Sequence, residues 1–460
     1  MSTRPGSAAM SQSADGCGIT ALGLMDLALA LVLLGYAAVA AVGLPLFGDG
    51  AHYFVEILLE DGALIPNYRY AAVLPQLPVV LALGLTDDPS VLRQVFSAGY
   101  ALVPVLALLG CWLIVRRRAP GLILLPLLSF LALQINFSSV SELMLSLVLS
   151  WPAALLLMLR PGWPGTWVYC LVLAPVLALL HPLAFAPAML LTGTALVGAR
   201  LEQPWPVMTR AVAGLMAASA LARLGWTGVG LNAYERAHTQ GDHAMGYLLP
   251  ATDLLALLLA LVLSLGALVG WWLLRPCRAL EWAIGVLLGV LSIVAAMAGL
   301  GFLQGVGIEL KAALTFPLGL ALMAIAVVAA WWGATEAPTR SVARAAMVLA
   351  VLILLLALSR SVAWWTATHK LADLLASSET TCIPFGPQQP FSLQWPWMAI
   401  IDDWTTPMQA LAFHDPDWPA PLMLPDDGCA RLADDGVARL TSWFAQPIER
   451  LEDNFGPLRR

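Results

Sequence analysis

The sequence predicts an all-α polytopic membrane protein with about 11 transmembrane helices and a small extracytoplasmic C-terminal domain. Of the 460 residues, 60% are hydrophobic and 11% are charged, whereas a soluble domain carries about 25% charged residues. The apolar residues fall in blocks of roughly 17–26, the length that crosses a hydrocarbon core of about 30 Å. This composition excludes a disordered chain, a coiled coil and a nucleic-acid-binding protein with a basic face. It also argues against a soluble enzyme.

Eleven apolar runs mark the predicted spans, which together form a transmembrane domain over 19–363. Residues 1–18 are small and polar, and we expect a disordered cytoplasmic N-terminus there. The first run, 19–44, is too long for a signal-peptide core, which favours a retained signal anchor. The later runs lie at 93–115, 120–136, 140–159, 166–181, 183–199, 211–226, 248–274, 280–303, 312–333 and 342–363.

The segment 70–85 is ambiguous, because it is short and contains Pro75 and Pro78. The positive-inside rule favours a segment that lies along the outer interface without crossing. The membrane-proximal arginines then share the cytoplasmic side with the N-terminus, whereas a crossing would invert the later clusters against Arg4. With Arg greatly outnumbering Lys, as in GC-rich bacteria, this predicts a bacterial inner membrane protein whose tail is external. The arginines are Arg116, Arg117, Arg118, Arg160, Arg200, Arg210, Arg275, Arg278, Arg340 and Arg344.

Residues 364–460 are predicted to form the extracytoplasmic domain. Thirteen acids and six bases lie in 366–460, a net charge of −7, against sixteen acids and seventeen bases in the rest of the chain. This region contains two cysteines, Cys382 and Cys429. An oxidising compartment favours a disulfide between them, with a stabilisation of about 3–4 kcal/mol. Two unrelated thiols are the alternative.

The first outer loop, 45–92, carries an unusual set of polar residues directly after the first span. It contains the run Gly48-Asp49-Gly50-Ala51-His52-Tyr53-Phe54, followed by Glu56. The glycines on either side of Asp49 allow the backbone to turn tightly. His52 and Glu56 are four residues apart, so they share a face if this stretch is helical. A solvated interfacial turn is the alternative to a functional site.

The second outer loop is short and contains one acid, Glu142, after a cluster of serines. Glu142 lies at the start of an apolar span, where a carboxylate is costly unless it is paired or faces a cavity. Stabilisation of the helix N-terminus is the alternative explanation.

Other polar residues of the outer loops complete the candidate set. A divalent cation, Mg²⁺ or Mn²⁺, held by Asp49 and Glu142 together with a substrate phosphate is left open. The sequence contains no P-loop, no His-Glu-x-x-His motif and no Rossmann glycine fingerprint. The further candidates are Arg69, His181, Arg236 and Lys311.

These features resemble the GT-C superfamily of membrane glycosyltransferases. The local matches are the segments 48–54 and 138–142, and the similarity of architecture covers most of the chain. The resemblance implies inverting sugar transfer on the non-cytoplasmic face, from a polyprenyl-phosphate donor to a glycan, lipid or protein acceptor. Family members usually carry an Asp-Glu type pair in the first loop, whereas Gly50 follows Asp49 here.

The resemblance also implies roles for the candidates. Asp49 would take the proton of the acceptor hydroxyl, and Glu142 would orient the acceptor or help hold a metal. His181 would donate to the phosphate or to a sugar hydroxyl. A transporter or flippase of a lipid or polar solute and a non-catalytic scaffold subunit are the alternatives. Substrate contacts would come from His52 and Glu56, and contacts to the lipid phosphate from Arg69, Arg236 and Lys311.

Overall fold

The computed structural model describes residues 20–135, 140–201, 206–230, 315–331, 340–385, 394–395, 398–399, 405–425, 428–441 and 443–459. This part of the chain is mostly helical. Its helices are α1 (Ala21–Ala41), α2 (Asp49–Leu59), α3 (Leu77–Leu83), α4 (Pro89–Val115), α5 (Leu124–Ile135), α6 (Glu142–Leu159), α7 (Pro164–Ala178), α8 (Phe185–Leu201), α9 (Pro206–Gly230), α10 (Phe316–Trp331), α11 (Arg340–Ser377), α12 (Thr406–Phe413), α13 (Gly428–Asp435) and α14 (Ile448–Phe455).

Among the described residues, five helices are long and apolar enough to cross a membrane, as expected of a membrane protein: α1, α4, α6, α9 and α11. The predicted spans 120–136, 166–181, 183–199 and 312–333 fall on shorter apolar helices of 10–17 residues. A helix of 17 residues is about 25 Å long, less than a hydrocarbon core of about 30 Å. The predicted spans 248–274 and 280–303 lie outside the described residues, so the total of eleven stays a prediction.

The two ends of the helix bundle differ in the residues that they carry, with arginines at one end and the polar loops at the other. Near the start of α1, Asp26 pairs with Arg116, which follows α4, with 2.8 Å between oxygen and nitrogen. Arg118 donates to the carbonyl of Leu159, the last residue of α6. We call this the basic end. The end of α1 and the starts of α4 and α6 lie at the opposite end, which we call the loop end.

The segment after the first loop does not form a long helix. A 3₁₀ stretch, Tyr70–Gln76, leads into the two-turn helix α3, and both pack against α4. A Cβ at Gly99 of α4 would lie 2.3 Å from the carbonyl oxygen of Pro75, so this close approach requires glycine. Leu81 and Leu85 are exposed. A segment this short is below the length of about 20 residues that a span needs, and its position along the outer interface stays a prediction.

The first loop and the tail fold together instead of forming separate units. They share one hydrophobic core, which includes Phe54 and Ile57 from the loop and Met408 and Phe455 from the tail. We call the described residues within 44–69 and 378–459 the head domain. Arg450 of α14 links its two segments by donating a hydrogen bond to the carbonyl of Leu59 at 2.6 Å.

The predicted boundary between 363 and 364 falls inside α11, which continues without a break to Ser377. The start of an extracytoplasmic domain at 364 stays a prediction. The residues 340–377 contain neither glycine nor proline, and a change from apolar to polar side chains does not by itself end a helix. Beyond the predicted boundary, the buried indole of Trp364 donates to the carbonyl of Gly43 at 2.9 Å. The last turns of α11 therefore support the head domain.

The head domain also contains short strands, so the chain is not all-α. A disulfide joins Cys382 to Cys429 and thereby ties the first strand to α13. The pairs are β1 (Cys382–Phe385) with β4 (Leu422–Pro425) in parallel, and β2 (Gln394–Trp395) with β3 (Met398–Ala399) and β5 (Val437–Arg439) with β6 (Ala445–Pro447) antiparallel.

Candidate functional site

Helix α2 places the first candidate, Asp49, at the loop end. Gly48 has a φ of 62°, a conformation that L-residues rarely adopt, and the helix begins at the next residue. A Cβ at Gly50 would lie 1.6 Å from the carbonyl oxygen of Pro45. Position 50 therefore has no room for a side chain, which gives a physical reason why no second acid follows Asp49.

Two side chains from the first loop hold the carboxylate of Glu142. The Tyr53 hydroxyl donates to Oε1 at 2.5 Å, and Arg69 donates from NH1 to Oε2 at 3.1 Å. The side chains of Arg69 and Glu142 are only 11% and 8% exposed. Ser141 is the N-cap of α6, since its Oγ accepts from the Met144 N–H at 3.4 Å. Glu142 is thus a buried, paired acid, while a serine makes the side-chain cap of the helix.

Asp49 belongs to the same cluster of charges. Asp49 and Tyr53 are four residues apart on α2 and share a face. Burial raises the pKa of Tyr53 well above its usual value, and the charges of Glu142 and Asp49 raise it further. Tyr53 therefore stays protonated and keeps donating to Glu142. Both predicted catalytic carboxylates lie within electrostatic range of one phenol.

A cavity of about 80 Å³ opens beside Glu142, between α1, α4, α5, α6 and α11. Such a volume holds several water molecules. Its wall includes Tyr100, Gln134 and Arg360, and Arg360 donates from NH1 to the Gln134 side-chain oxygen at 2.7 Å. Asp49 is not among the described residues that line it. The cavity thus combines an arginine and a carboxylate inside an apolar bundle.

Sequence reasoning missed Arg360 and Tyr53. Arg360 had a usable signal, because it is the one charged residue in the apolar run 342–363 apart from Arg344 near its start. A charge inside a spanning run marks a functional-site candidate. Tyr53 had no such signal, since a tyrosine in an interfacial loop is ordinary.

His52 and Glu56 share a face of α2, but this face lies against the tail and not against the cavity. The His52 ring meets those of Trp443 and Phe444, with centroids 4.9 and 5.7 Å away. Burial lowers the pKa of His52 from 6.5 to about 4. Burial, followed by the charge of Glu60, raises the pKa of Glu56. We therefore assign both residues to the packing of the head domain.

The remaining candidates do not gather at the cavity. His181 accepts at Nδ1 from the N–H of Leu183 at 3.1 Å, so this nitrogen caps a 3₁₀ turn. Arg69 pairs with Glu142, and its contact with a lipid phosphate stays a prediction. Arg236 and Lys311 lie outside the described residues.

A metal site has limited support in the described part of the chain. Its residues contain no group of three or more His, Cys, Asp or Glu side chains that could hold a metal. Both oxygens of Glu142 already accept hydrogen bonds. Mg²⁺ often binds through one or two carboxylates together with substrate phosphates, and that arrangement stays a prediction.

Comparison with known proteins identifies no relative of this chain. No protein-family model matches it, and no curated protein or solved structure matches it at a significant level.

Proposed function

We propose that the chain is a membrane glycosyltransferase that uses a polyprenyl-phosphate sugar at the loop end of the bundle. The main support is the cluster of Asp49, Tyr53, Glu142 and Arg69 beside a cavity that contains Arg360. The proposal includes a bacterial inner membrane with the basic end in the cytoplasm, because arginines favour that side.

Sugar transfer needs a base for the acceptor hydroxyl, and Asp49 is the candidate for this role. Asp49 begins α2 and is half-buried, so part of the residue is accessible to an acceptor. Glu142 is engaged by Tyr53 and Arg69, so we assign it a positioning role. By fixing Tyr53, it fixes the helix face that carries Asp49.

The leaving lipid phosphate needs positive charge, and Arg360 supplies it from the cavity wall. Arginine binds phosphate through several N–H donors at once. A buried arginine is costly in an apolar bundle unless polar partners or an anion offset the lost hydration. Gln134 is one such partner, and a phosphate in the cavity would be another.

Two alternatives have an observation in their favour. A buried arginine beside an intramembrane cavity is also what a lipid or solute transporter carries. A non-catalytic scaffold subunit is favoured by Gly50, which leaves no room for a second acid beside Asp49.

The test uses the full chain in lipid nanodiscs with radiolabelled polyprenyl-phosphate glucose, mannose, galactose and arabinose. Release of sugar from the carrier, with and without envelope glycan from the source cell, is measured. We expect Asp49→Asn to lower the rate by about 10²-fold or more, as for loss of a general base. Asp61→Asn is the matched control, because Asp61 is exposed just beyond α2 and its φ of 48° suits asparagine.

Full activity of Asp49→Asn would contradict the assignment of the base. A transporter would instead move a fluorescent polyprenyl phosphate between leaflets without cleaving the sugar. That movement would be lost in Arg360→Met and kept in Asp49→Asn. A scaffold subunit would show neither reaction in wild type.

A further inference from the structure

A second, larger groove lies at the loop end, away from the Glu142 cluster. It has a volume of about 1180 Å³ and runs between the start of α4, the last turns of α11 and the loop after α12. Its wall contains both polar and apolar residues, and none of them lines the cavity beside Glu142. Trp418 lies in this wall with 71% of its surface exposed.

The wall contains a buried histidine, His414, with one ring nitrogen that makes a hydrogen bond within the described part of the chain and one that does not. His414 is only 7% exposed, and its Nδ1 lies 2.9 Å from the Leu411 carbonyl. A carbonyl only accepts, so Nδ1 carries the proton. Burial lowers the pKa of His414, so Nε2 is an acceptor in the neutral ring. Nε2 is buried and has no hydrogen-bond partner among the described residues. A buried acceptor of this kind calls for a donor such as an ordered water, so we do not assign it a direct contact with a ligand.

The other polar groups of the wall include both donors and acceptors. Arg93 uses one N–H on the Ala412 carbonyl at 2.8 Å, and Arg459 uses one on the Pro419 carbonyl at 3.0 Å. Each guanidinium carries five N–H donors. Carboxylates of Asp373 and Asp417 supply acceptors.

This mixture discriminates between ligand classes. A cationic peptide side chain only donates and would be repelled by the two arginines, Arg93 and Arg459. An anionic headgroup only accepts and would meet four aspartates, Asp88, Asp373, Asp415 and Asp417, against two arginines. A sugar hydroxyl both donates and accepts. The apolar face of a sugar ring also stacks on an exposed indole, which presents a large rigid surface.

We infer that the groove between α4, α11 and the loop after α12 binds a neutral oligosaccharide, with Trp418 as the stacking platform. The ring would lie on Trp418, with hydroxyls directed to the carboxylates of Asp373 and Asp417. This binding does not depend on the proposed transfer reaction. If that reaction holds as well, the groove is a place for the acceptor glycan.

The experiment titrates the full chain in lipid nanodiscs with malto-, cello-, manno-, galacto- and arabino-hexaose, and follows binding by calorimetry. At least one hexasaccharide should bind saturably. Trp418→Ala should weaken its binding about tenfold or more, as for removal of an aromatic anchor. Asp373→Asn should weaken it several-fold, since an exposed carboxylate that accepts from a hydroxyl is lost.

The matched control is Trp443→Ala, which removes another exposed tryptophan of the head domain that lies outside the groove. Its affinity should stay within twofold of wild type. Absence of saturable binding by every hexasaccharide up to 10 mM overturns the inference. Equal losses in the two tryptophan variants, or tighter binding of hexalysine than of any sugar, would overturn it as well.

Discussion

Each end of the helix bundle contains an ion pair between an arginine and a carboxylate, and the two pairs differ in how far they are buried. At the loop end, Arg69 and Glu142 meet at 3.1 Å with side chains that are 11% and 8% exposed. At the basic end, Arg116 and Asp26 meet at 2.8 Å with side chains that are 44% and 42% exposed. The pairs differ little in distance, so burial is the main difference between them.

Burial changes what each pair does. An exposed ion pair contributes about 0–1 kcal/mol, because water screens the charges and the side chains lose entropy. A buried pair pays for its own dehydration, so removing one partner leaves a costly uncompensated charge. We therefore expect the loop end to depend on its polar contacts, whereas the basic end tolerates their loss.

The largest effect is expected for Arg69→Met, which leaves the carboxylate of Glu142 buried without its cation. The free energy of local unfolding should fall by about 3–5 kcal/mol, as measured by hydrogen exchange at the amides of α2. Arg116→Met is the matched control at the basic end. Equal losses in both variants would refute the comparison.

The next effect concerns the disulfide, which constrains the head domain alone. Cys382 and Cys429 are 47 residues apart, and replacing both by serine should destabilise the head domain by about 2–4 kcal/mol. Exchange should accelerate in α12 and α14 but not in the basic half of α4. Uniform acceleration along the chain would mean that the two ends unfold together.

A smaller effect should appear as pH dependence. Burial lowers the pKa of His52 to about 4 from 6.5, so the unfolded chain binds a proton that the folded chain excludes. The resulting stability is complete above about pH 6.5 and is lost as pH falls towards 4. Between pH 7 and 5, wild type should lose about 1–2 kcal/mol more than His52→Phe, which keeps an aromatic ring against Trp443.

The control for this pH dependence is His369→Phe, a change at an exposed histidine of α11. Thermal unfolding of each variant between pH 7 and 5 gives the comparison. An identical pH dependence in His52→Phe and wild type would show that His52 is not buried in the neutral form.

The smallest effect is expected for Arg116→Met itself. Its partner Asp26 is partly exposed and also accepts from the Trp112 indole at 2.8 Å, so it keeps water and one donor. Stability of the end of α4 should change by less than about 1 kcal/mol, with the same hydrogen-exchange readout. A larger loss would show that the basic end is as tightly coupled as the loop end.

Much of the bundle could be predicted because membrane spans are a local property of the sequence. Apolar runs of sufficient length must form helices, since a bilayer offers no partners for backbone N–H and C=O groups. The same local signal stops short of the end of α11, because the predicted span 342–363 ends before Ser377. Hydropathy reports where a helix leaves the apolar region, whereas the helix itself continues until the backbone is interrupted.

The site was predictable only in part. Asp49 and Glu142 stood out as acids placed next to apolar spans, and the charges of both raise the pKa of Tyr53. The pairing of Arg69 with Glu142 spans 73 residues, and no local pattern indicates a contact across that distance. The contact of His52 with Trp443 could not be foreseen, because i, i+4 spacing predicts a shared helix face but not which surface that face will meet.

The sequence by itself predicted the class of protein, since apolar runs long enough to span a bilayer satisfy their backbone groups within a helix. It also determined the local turn at Asp49 and the two cysteines that could pair. Only the tertiary structure decided that the first loop and the tail share one core, that Glu142 is clamped between Tyr53 and Arg69, and that Arg360 faces a cavity. These contacts join segments far apart in the chain, and packing alone brings such segments together.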